Sequence, residues 1–101
     1  MAILLVFSNS INAIERHKPH IVHTIEIISF EFVPSNLILS RGDKVVWINR
    51  DSIPHNIVNR ENDVTLSSTL AKGDKFSYII KQDLDYACGF HPSMLGKIQI
   101  K

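Results

Sequence analysis

Three residues that can bind a soft metal ion lie close together near the end of the chain. Cys88, His91 and Met94 offer a thiolate, an imidazole and a thioether within seven residues. A fourth candidate, His55, follows the apolar segment around Trp47. Thiolate and thioether suit soft ions, and imidazole suits several transition metals. These residue types and their spacing indicate a metal site, provided that the fold brings the two segments together.

The four candidate ligands match one known kind of site. Two histidines and one cysteine in a trigonal set, with a weak axial methionine, are typical of type 1 copper. The thiolate would bind copper strongly in both oxidation states, and the thioether would favour Cu(I), so the metal could change valence with little rearrangement. A catalytic metal would need an open position or a substrate cleft, and the sequence offers neither. We therefore predict a one-electron carrier with one copper ion, and not an enzyme.

Each candidate ligand also has a simpler explanation when it is considered alone. A single buried cysteine is often a small apolar residue, and a single methionine often fills a gap in a core. Isolated histidines are often surface residues or hydrogen-bonded core residues. The spacing of all four residues together favours ligand roles.

The same ligands could also hold copper for delivery or resistance, although proteins for that purpose tend to have methionine-rich or exposed ligand sets.

Short segments of β-branched or alternating apolar residues recur along the chain between turn residues. The segments that predict strands are 21–28, 30–32, 37–39, 44–49, 76–80 and 97–101. Val45, Trp47 and Asn49 share one face of the fourth segment. Residues 61–70 fit neither a strand nor a clear loop. Strands at intervals of about 8 to 12 residues indicate an all-β sandwich or barrel.

Composition sets limits on the class of protein. The 101 residues suit a single domain, and 45% of them are hydrophobic. The net charge of +1 and the absence of a basic run argue against nucleic-acid binding.

Residues 1–13 resemble a shortened signal peptide or a disordered start, and residues 14–101 form the predicted domain. The apolar run near the N-terminus is far shorter than the roughly 20 residues that a membrane span needs, so we expect no stable membrane insertion.

The ligand segments resemble the cupredoxin, or type 1 blue-copper, family. Residues 42–56 are similar to its strand and first-ligand loop, and residues 96–100 to its closing strand. Only two residues separate His91 from Met94, and this short loop resembles the amicyanins more than the plastocyanins or pseudoazurins. The resemblance implies a Greek-key β-sandwich or barrel of about seven to eight strands.

The resemblance also implies roles for residues beside the ligands. The backbone N–H of Asn56 is expected to donate to the Cys88 sulfur, while the Asn56 side chain ties the two ligand loops together. Pro92 has no N–H to offer that sulfur. Where the family usually has a polar residue and a proline, this chain has Gly89 and Phe90, which form a more flexible and more apolar link.

Partners and location follow from the same resemblance. The edge of His91 is expected to be the exit for the electron, within an apolar patch. The patch consists of Pro54, Phe90, His91 and Pro92. We expect transient redox partners of the cytochrome or dehydrogenase type, a monomeric state, and a periplasmic or otherwise exported location.

A second group of histidines precedes the first secure strand. His17, His20 and His23 are three residues apart, and such a set can bind Cu(II). Pro19 argues against a helical arrangement. The group is either an auxiliary copper-binding tail or a set of solvated residues at a flexible start.

Overall fold

Alternating apolar residues and short turns build eight strands in residues 19–101, the part of the chain that the computed structural model describes. The strands are β1 Val22–Ile28, β2 Glu31–Val33, β3 Asn36–Leu39, β4 Lys44–Asn49, β5 Val58–Asn59, β6 Lys75–Ile79, β7 Leu84–Ala87 and β8 Leu95–Ile100. Within this range the chain forms no helix, and hence none that is long and apolar enough to cross a membrane.

The strands form two four-stranded sheets that share one core. One sheet has the order β2-β1-β4-β6 and the other the order β3-β8-β7-β5. The pairs β1/β4 and β3/β8 are parallel, and the other pairs are antiparallel. A tight hairpin cannot join parallel neighbours, so the chain crosses between the sheets to connect them. The prediction of an all-β Greek-key sandwich is confirmed.

The core fixes the direction of the strands that lead to the predicted ligands. The buried face of β4 consists of Val45, Trp47 and Asn49, as predicted. Trp47 contacts Tyr86 of β7 edge-to-face, with ring centroids 5.4 Å apart, so the core joins both sheets. Tyr86 lies over Gly96, where a Cβ would come within 2.1 Å of the ring. Alternate residues of a strand share a face, so Cys88, two residues after the buried Tyr86, also points inward and is buried.

The first hairpin differs from the sequence prediction. Alternation at 30–32 predicts a strand that starts at Phe30, but β2 starts at Glu31. Ser29 and Phe30 form a two-residue turn with φ values of 53° and 61°. Two-residue hairpin turns favour positive φ, because their twist then matches that of the strands. Phe30 is therefore a turn residue, and its side chain is free to face the end of the sandwich.

Candidate metal centre

Three of the four predicted ligands converge beyond the ends of β4 and β7. One nitrogen of His55, the sulfur of Cys88 and one nitrogen of His91 lie within 4.8 Å of one another. The Nδ1 atoms of His55 and His91 are 3.5 Å and 3.7 Å from Cys88 Sγ. His55 and Cys88 are fully buried, whereas His91 is partly buried. Two imidazoles and one thiol therefore face one small space.

The loop that leads to His55 is organised by Asn49, a buried residue whose role sequence reasoning misses. Its Nδ2 donates to the carbonyls of Ile53 and Leu70, at 3.0 Å and 2.8 Å. Its Oδ1 accepts the N–H of Asp51 at 2.9 Å. The backbone of His55 exchanges two hydrogen bonds with Leu70. An amide on the inward face of an apolar strand was the available signal, because a buried amide must find partners.

Asp51 binds the outer nitrogen of His55, and sequence reasoning misses this residue as well. Its Oδ2 lies 2.9 Å from His55 Nε2. A carboxylate can only accept, so it favours the tautomer that carries its proton on Nε2 and leaves Nδ1 free for a metal. Burial acts to raise the pKa of Asp51, but bonds from Phe30, His55 and Ser29 outweigh it and lower that pKa. The four-residue spacing from Asp51 to His55 was the only signal in the sequence.

The loop from Cys88 to Met94 is shaped by its own backbone. The N–H of Cys88 donates to the carbonyl of Met94 at 3.2 Å, and the N–H of Met94 donates to that of His91 at 2.9 Å. The N–H of His91 donates to the carbonyl of Cys88 at 3.3 Å. The side chain of Met94 is 4% exposed and packs in the core cluster. The short spacing therefore produces a closed loop that turns Met94 back into the protein.

Asn56 links the two ligand loops. Its Oδ1 accepts the N–H of Gly89 at 2.6 Å and lies 3.8 Å from Cys88 Sγ. A Cβ on Gly89 would come within 2.9 Å of that oxygen, so glycine allows the close approach. The side-chain link that the resemblance implies is present. The backbone bond from Asn56 to the sulfur, and the role of the exposed Pro92 beside it, stay predictions.

His91 and the three apolar residues predicted to form a docking patch with it all reach the surface. Pro54, Phe90 and Pro92 are exposed, as a docking patch requires. Phe30 also lies here, with its ring centroid 5.0 Å from that of His91. Sequence reasoning misses Phe30, because the alternation of residues 30–32 assigns it to a strand.

The second histidine group lies at the other end of the β1/β4 pair. His23 Nε2 is 2.9 Å from Asp43 Oδ2. The bond from His23, followed by backbone bonds, outweighs the effect of burial and lowers the pKa of Asp43 to about 2. Among residues 19–101, neither His20 nor His23 shares a set of three metal donors. His17 lies outside the described residues, so the auxiliary copper tail stays a prediction.

The chemistry of the donors fits copper. A buried thiol and two imidazole nitrogens that face each other are soft and borderline donors, unlike the oxygen sets that suit Mg²⁺ or Ca²⁺. The thioether of Met94, in the same loop, suits Cu(I) better than Zn²⁺. The residues that the fold assembles at this end therefore form a copper-type donor set.

Comparisons of the sequence with known proteins agree with this geometry. A sequence model of the copper-binding proteins of the plastocyanin/azurin family matches residues 19–101. The chain is similar to amicyanin of Paracoccus denitrificans, with 26% identity over 83 residues, covering 76% of this chain and 63% of that protein. It thus spans less than two thirds of the length of that relative.

Solved structures with a similar fold include a reduced amicyanin variant and a purple cupredoxin from Nitrosopumilus maritimus. The amicyanin variant has a TM-score of 0.70 and 28% identity, covering 79% of this chain and 82% of its own. The purple cupredoxin has a TM-score of 0.70 and 29% identity, covering 78% of this chain and 99% of its own.

Proposed function

The chain belongs to the copper-binding plastocyanin/azurin family, and from this premise we propose that it carries single electrons between larger redox proteins. Its cofactor is one copper ion. The observation that carries the proposal is the convergence of two imidazole nitrogens and one thiol sulfur within 4.8 Å. That donor set is the core of a type 1 copper site.

We propose that four residues hold the metal: His55, Cys88, His91 and Met94. When bound, the copper supplies one-electron chemistry between Cu(I) and Cu(II). Hydrogen bonds fix the donors: Asp51 holds the ring of His55, and Asn56 joins its loop to that of Cys88. Ligands fixed in this way move little when the valence changes, which favours fast electron transfer. Burial of the thiol supports the same role, because it excludes water and competing reactions.

We propose that electrons enter and leave through His91. It is the one partly exposed side chain among the four proposed ligands, and Pro54, Phe90 and Pro92 of the proposed patch are exposed. An apolar surface without fixed charge partners suits brief contacts, since it gives contact area without strong pairing. We therefore expect transient redox partners of the cytochrome or dehydrogenase type.

The same donor set supports a carrier and not an enzyme. A catalytic metal keeps an open position for substrate or water. Here two imidazoles, a thiolate and a thioether would fill the coordination sphere. The proposed function accordingly has no substrate and no bond-breaking step.

Voltammetry combined with copper release tests this function against copper delivery. For the copper-loaded protein we expect a reversible one-electron wave and slow loss of copper to a competing chelator. Rapid handover of copper without a reversible wave would contradict electron transfer and would favour the role in delivery or resistance.

We further propose a monomer that works in the periplasm or otherwise outside the cytoplasm. The proposed leader, residues 1–13, lies outside the described residues, so its cleavage and the domain boundary at residue 14 stay predictions. The mass of the protein isolated from the periplasmic fraction shows whether the leader is cleaved. Sedimentation of the copper-loaded protein shows whether it is a monomer. An uncleaved cytoplasmic chain, or a stable dimer, would contradict these expectations.

A further inference from the structure

The turn between β1 and β2 has a backbone that is unfavourable for its residues. Ser29 and Phe30 have φ values of 53° and 61°. Positive φ is uncommon outside glycine, asparagine and aspartate, and a bulky residue there is an outlier. Two-residue hairpin turns usually contain asparagine or glycine. Backbones in such conformations persist only where the surrounding structure stabilises them, and they cluster at functional sites.

One carboxylate stabilises this turn. Asp51 Oδ1 accepts the N–H of Ser29 at 2.7 Å, and its Oδ2 accepts the N–H of Phe30 at 3.0 Å. The same Oδ2 lies 2.9 Å from His55 Nε2. Asp51 therefore fixes the turn and a proposed copper ligand at the same time.

The turn places the ring of Phe30 against both proposed histidine ligands. Its centroid lies 5.4 Å from that of His55 at an interplanar angle of 88°, and 5.0 Å from that of His91 at 79°. The two histidine rings are themselves 5.1 Å apart. Edge-to-face contacts of this kind are favourable arrangements of aromatic rings. Phe30 thus covers the pair of imidazoles although its side chain is 46% exposed.

The turn also faces the other ligand loop. A surface cleft is lined by Ser29 and Phe30 of the turn and by Ser93 and Met94 of the loop that carries two proposed ligands. The turn and the loop from Cys88 to Met94 therefore line one cleft, and Met94 in that lining is a proposed ligand.

We propose that the Ser29–Phe30 turn is a third loop of the copper centre, and that Phe30 is a positioning residue that restrains the rings of His55 and His91. This inference rests on the proposed copper site. The restraint matters most for His91, because Asp51 already holds the ring of His55, whereas His91 lies partly exposed on a short loop. Phe30 therefore slows ring movement and the departure of copper.

Phe30→Leu is the first test, because it keeps an apolar side chain but removes the edge-to-face contacts. We expect copper loss to a chelator to be about tenfold faster, the scale on which residues behind metal ligands act. We also expect a changed copper hyperfine splitting in the EPR spectrum. If Phe30→Leu does not fold, Phe30→Met is measured in the same way.

The matched control is Tyr78→Leu. Tyr78 is another partly exposed aromatic residue, and it pairs with Val45 at the end of β4 remote from His55. We expect this variant to keep the copper spectrum and the release rate of the unmodified protein.

Asp51→Asn provides a second, independent test. The amide has one acceptor oxygen in place of two, so it cannot hold Ser29, Phe30 and His55 as the carboxylate does. We expect faster amide hydrogen exchange at Ser29 and Phe30, together with faster copper loss. Because Asp51 acts on His91 through Phe30, the double variant should lose copper more slowly than the product of the two single effects predicts.

Equal release rates and identical EPR spectra for the unmodified protein and Phe30→Leu would overturn the inference and leave the copper site intact. Fully multiplicative effects of the two substitutions would overturn the coupling between Asp51 and Phe30. If the unmodified protein instead forms no thiolate–copper band, the proposed function itself fails. The spectrum of the unmodified protein is therefore measured before any variant is compared.

Discussion

Two aspartate–histidine pairs lie at opposite ends of the parallel strands β1 and β4, and only one of them belongs to the proposed copper site. In both pairs a carboxylate oxygen lies 2.9 Å from the Nε2 of a histidine, Asp51 with His55 and Asp43 with His23. Each carboxylate also accepts two backbone N–H groups. The two pairs therefore join strand ends by the same means.

The difference lies at the other nitrogen of each histidine. The side chain of His55 is 0% exposed and its Nδ1 faces Cys88, whereas the side chain of His23 is 21% exposed. Among the described residues, no set of three metal donors includes His23. An aspartate–histidine pair thus fixes a ring and its tautomer, but a site arises only where further donors face the free nitrogen.

Alanine substitutions should affect copper binding very differently at His55 and at His23. His55→Ala removes a proposed ligand, so we expect the thiolate–copper band to disappear and the affinity for copper to fall sharply. His23→Ala should leave both unchanged, since it removes only a pair at the remote end. Visible spectra and copper titration of the two variants measure this, with circular dichroism to verify folding. Loss of the band in His23→Ala, or its persistence in His55→Ala, would contradict the assignment of only His55 to the copper site.

A smaller effect is expected at the surface beside His91. Phe90→Glu places a charge in the proposed apolar patch, so two copies would dock less well. We expect electron self-exchange to slow by about tenfold, at the lower end of the range over which charge changes association rates. The copper spectrum should not change, because Phe90 is not a proposed ligand.

Ile38→Glu is the control for that substitution. Ile38 is 62% exposed and pairs with Gln99, near the end of β8 farthest from the ligand loop. NMR line broadening of mixed oxidation states measures the exchange rate in both variants. An equal rate for Phe90→Glu and the unmodified protein would remove Phe90 from the docking patch.

A third effect concerns stability at the remote pair. The pKa of Asp43 is lowered from 3.8 to about 2, so the folded state favours its carboxylate. This contribution is fully present well above the unfolded pKa of 3.8, and it is lost as the pH falls through the folded pKa of about 2. Asp43→Asn should therefore lower the melting temperature by several degrees at neutral pH, and the difference should shrink towards pH 2. Thermal unfolding of both proteins across this range tests it; a difference that does not depend on pH would contradict the assignment.

At the remote histidines we expect no copper binding that a titration would detect. If the remote histidines do not form a second copper site, saturation requires one copper per chain. A second equivalent of Cu(II) should stay available to a weak chelator and add no EPR signal from the protein. If the protein binds a second copper tightly and His23→Ala abolishes this binding, the result would support an auxiliary copper site at the remote histidines.

The sequence predicts much of this molecule because most signals are local. Alternation in β4 identifies the buried Val45 and Trp47, and the spacing of Cys88, His91 and Met94 identifies one ligand loop. The link from Asn56 to Gly89 follows from the resemblance to the family. These features depend on residue type and short spacing, which a single sequence contains.

Three residues of the site could not be predicted in the same way. Phe30 alternates with Phe32 as a strand residue would, but hairpin closure places it in a turn with positive φ. Asp51 acts on a turn 21 and 22 residues away, and Asn49 holds Leu70 at a separation of 21 residues. Such contacts depend on how the sheets pair, and no local pattern encodes them.

In the proposed site, Cys88 binds copper as a thiolate together with His55 and His91. The most direct test is the visible and EPR spectrum of the protein with one equivalent of Cu(II), beside Cys88→Ser. We predict an intense blue band with narrow copper hyperfine splitting, and its absence in Cys88→Ser. A pale spectrum typical of nitrogen and oxygen ligands, the same in both proteins, would contradict the thiolate site and with it the assignment as an electron carrier.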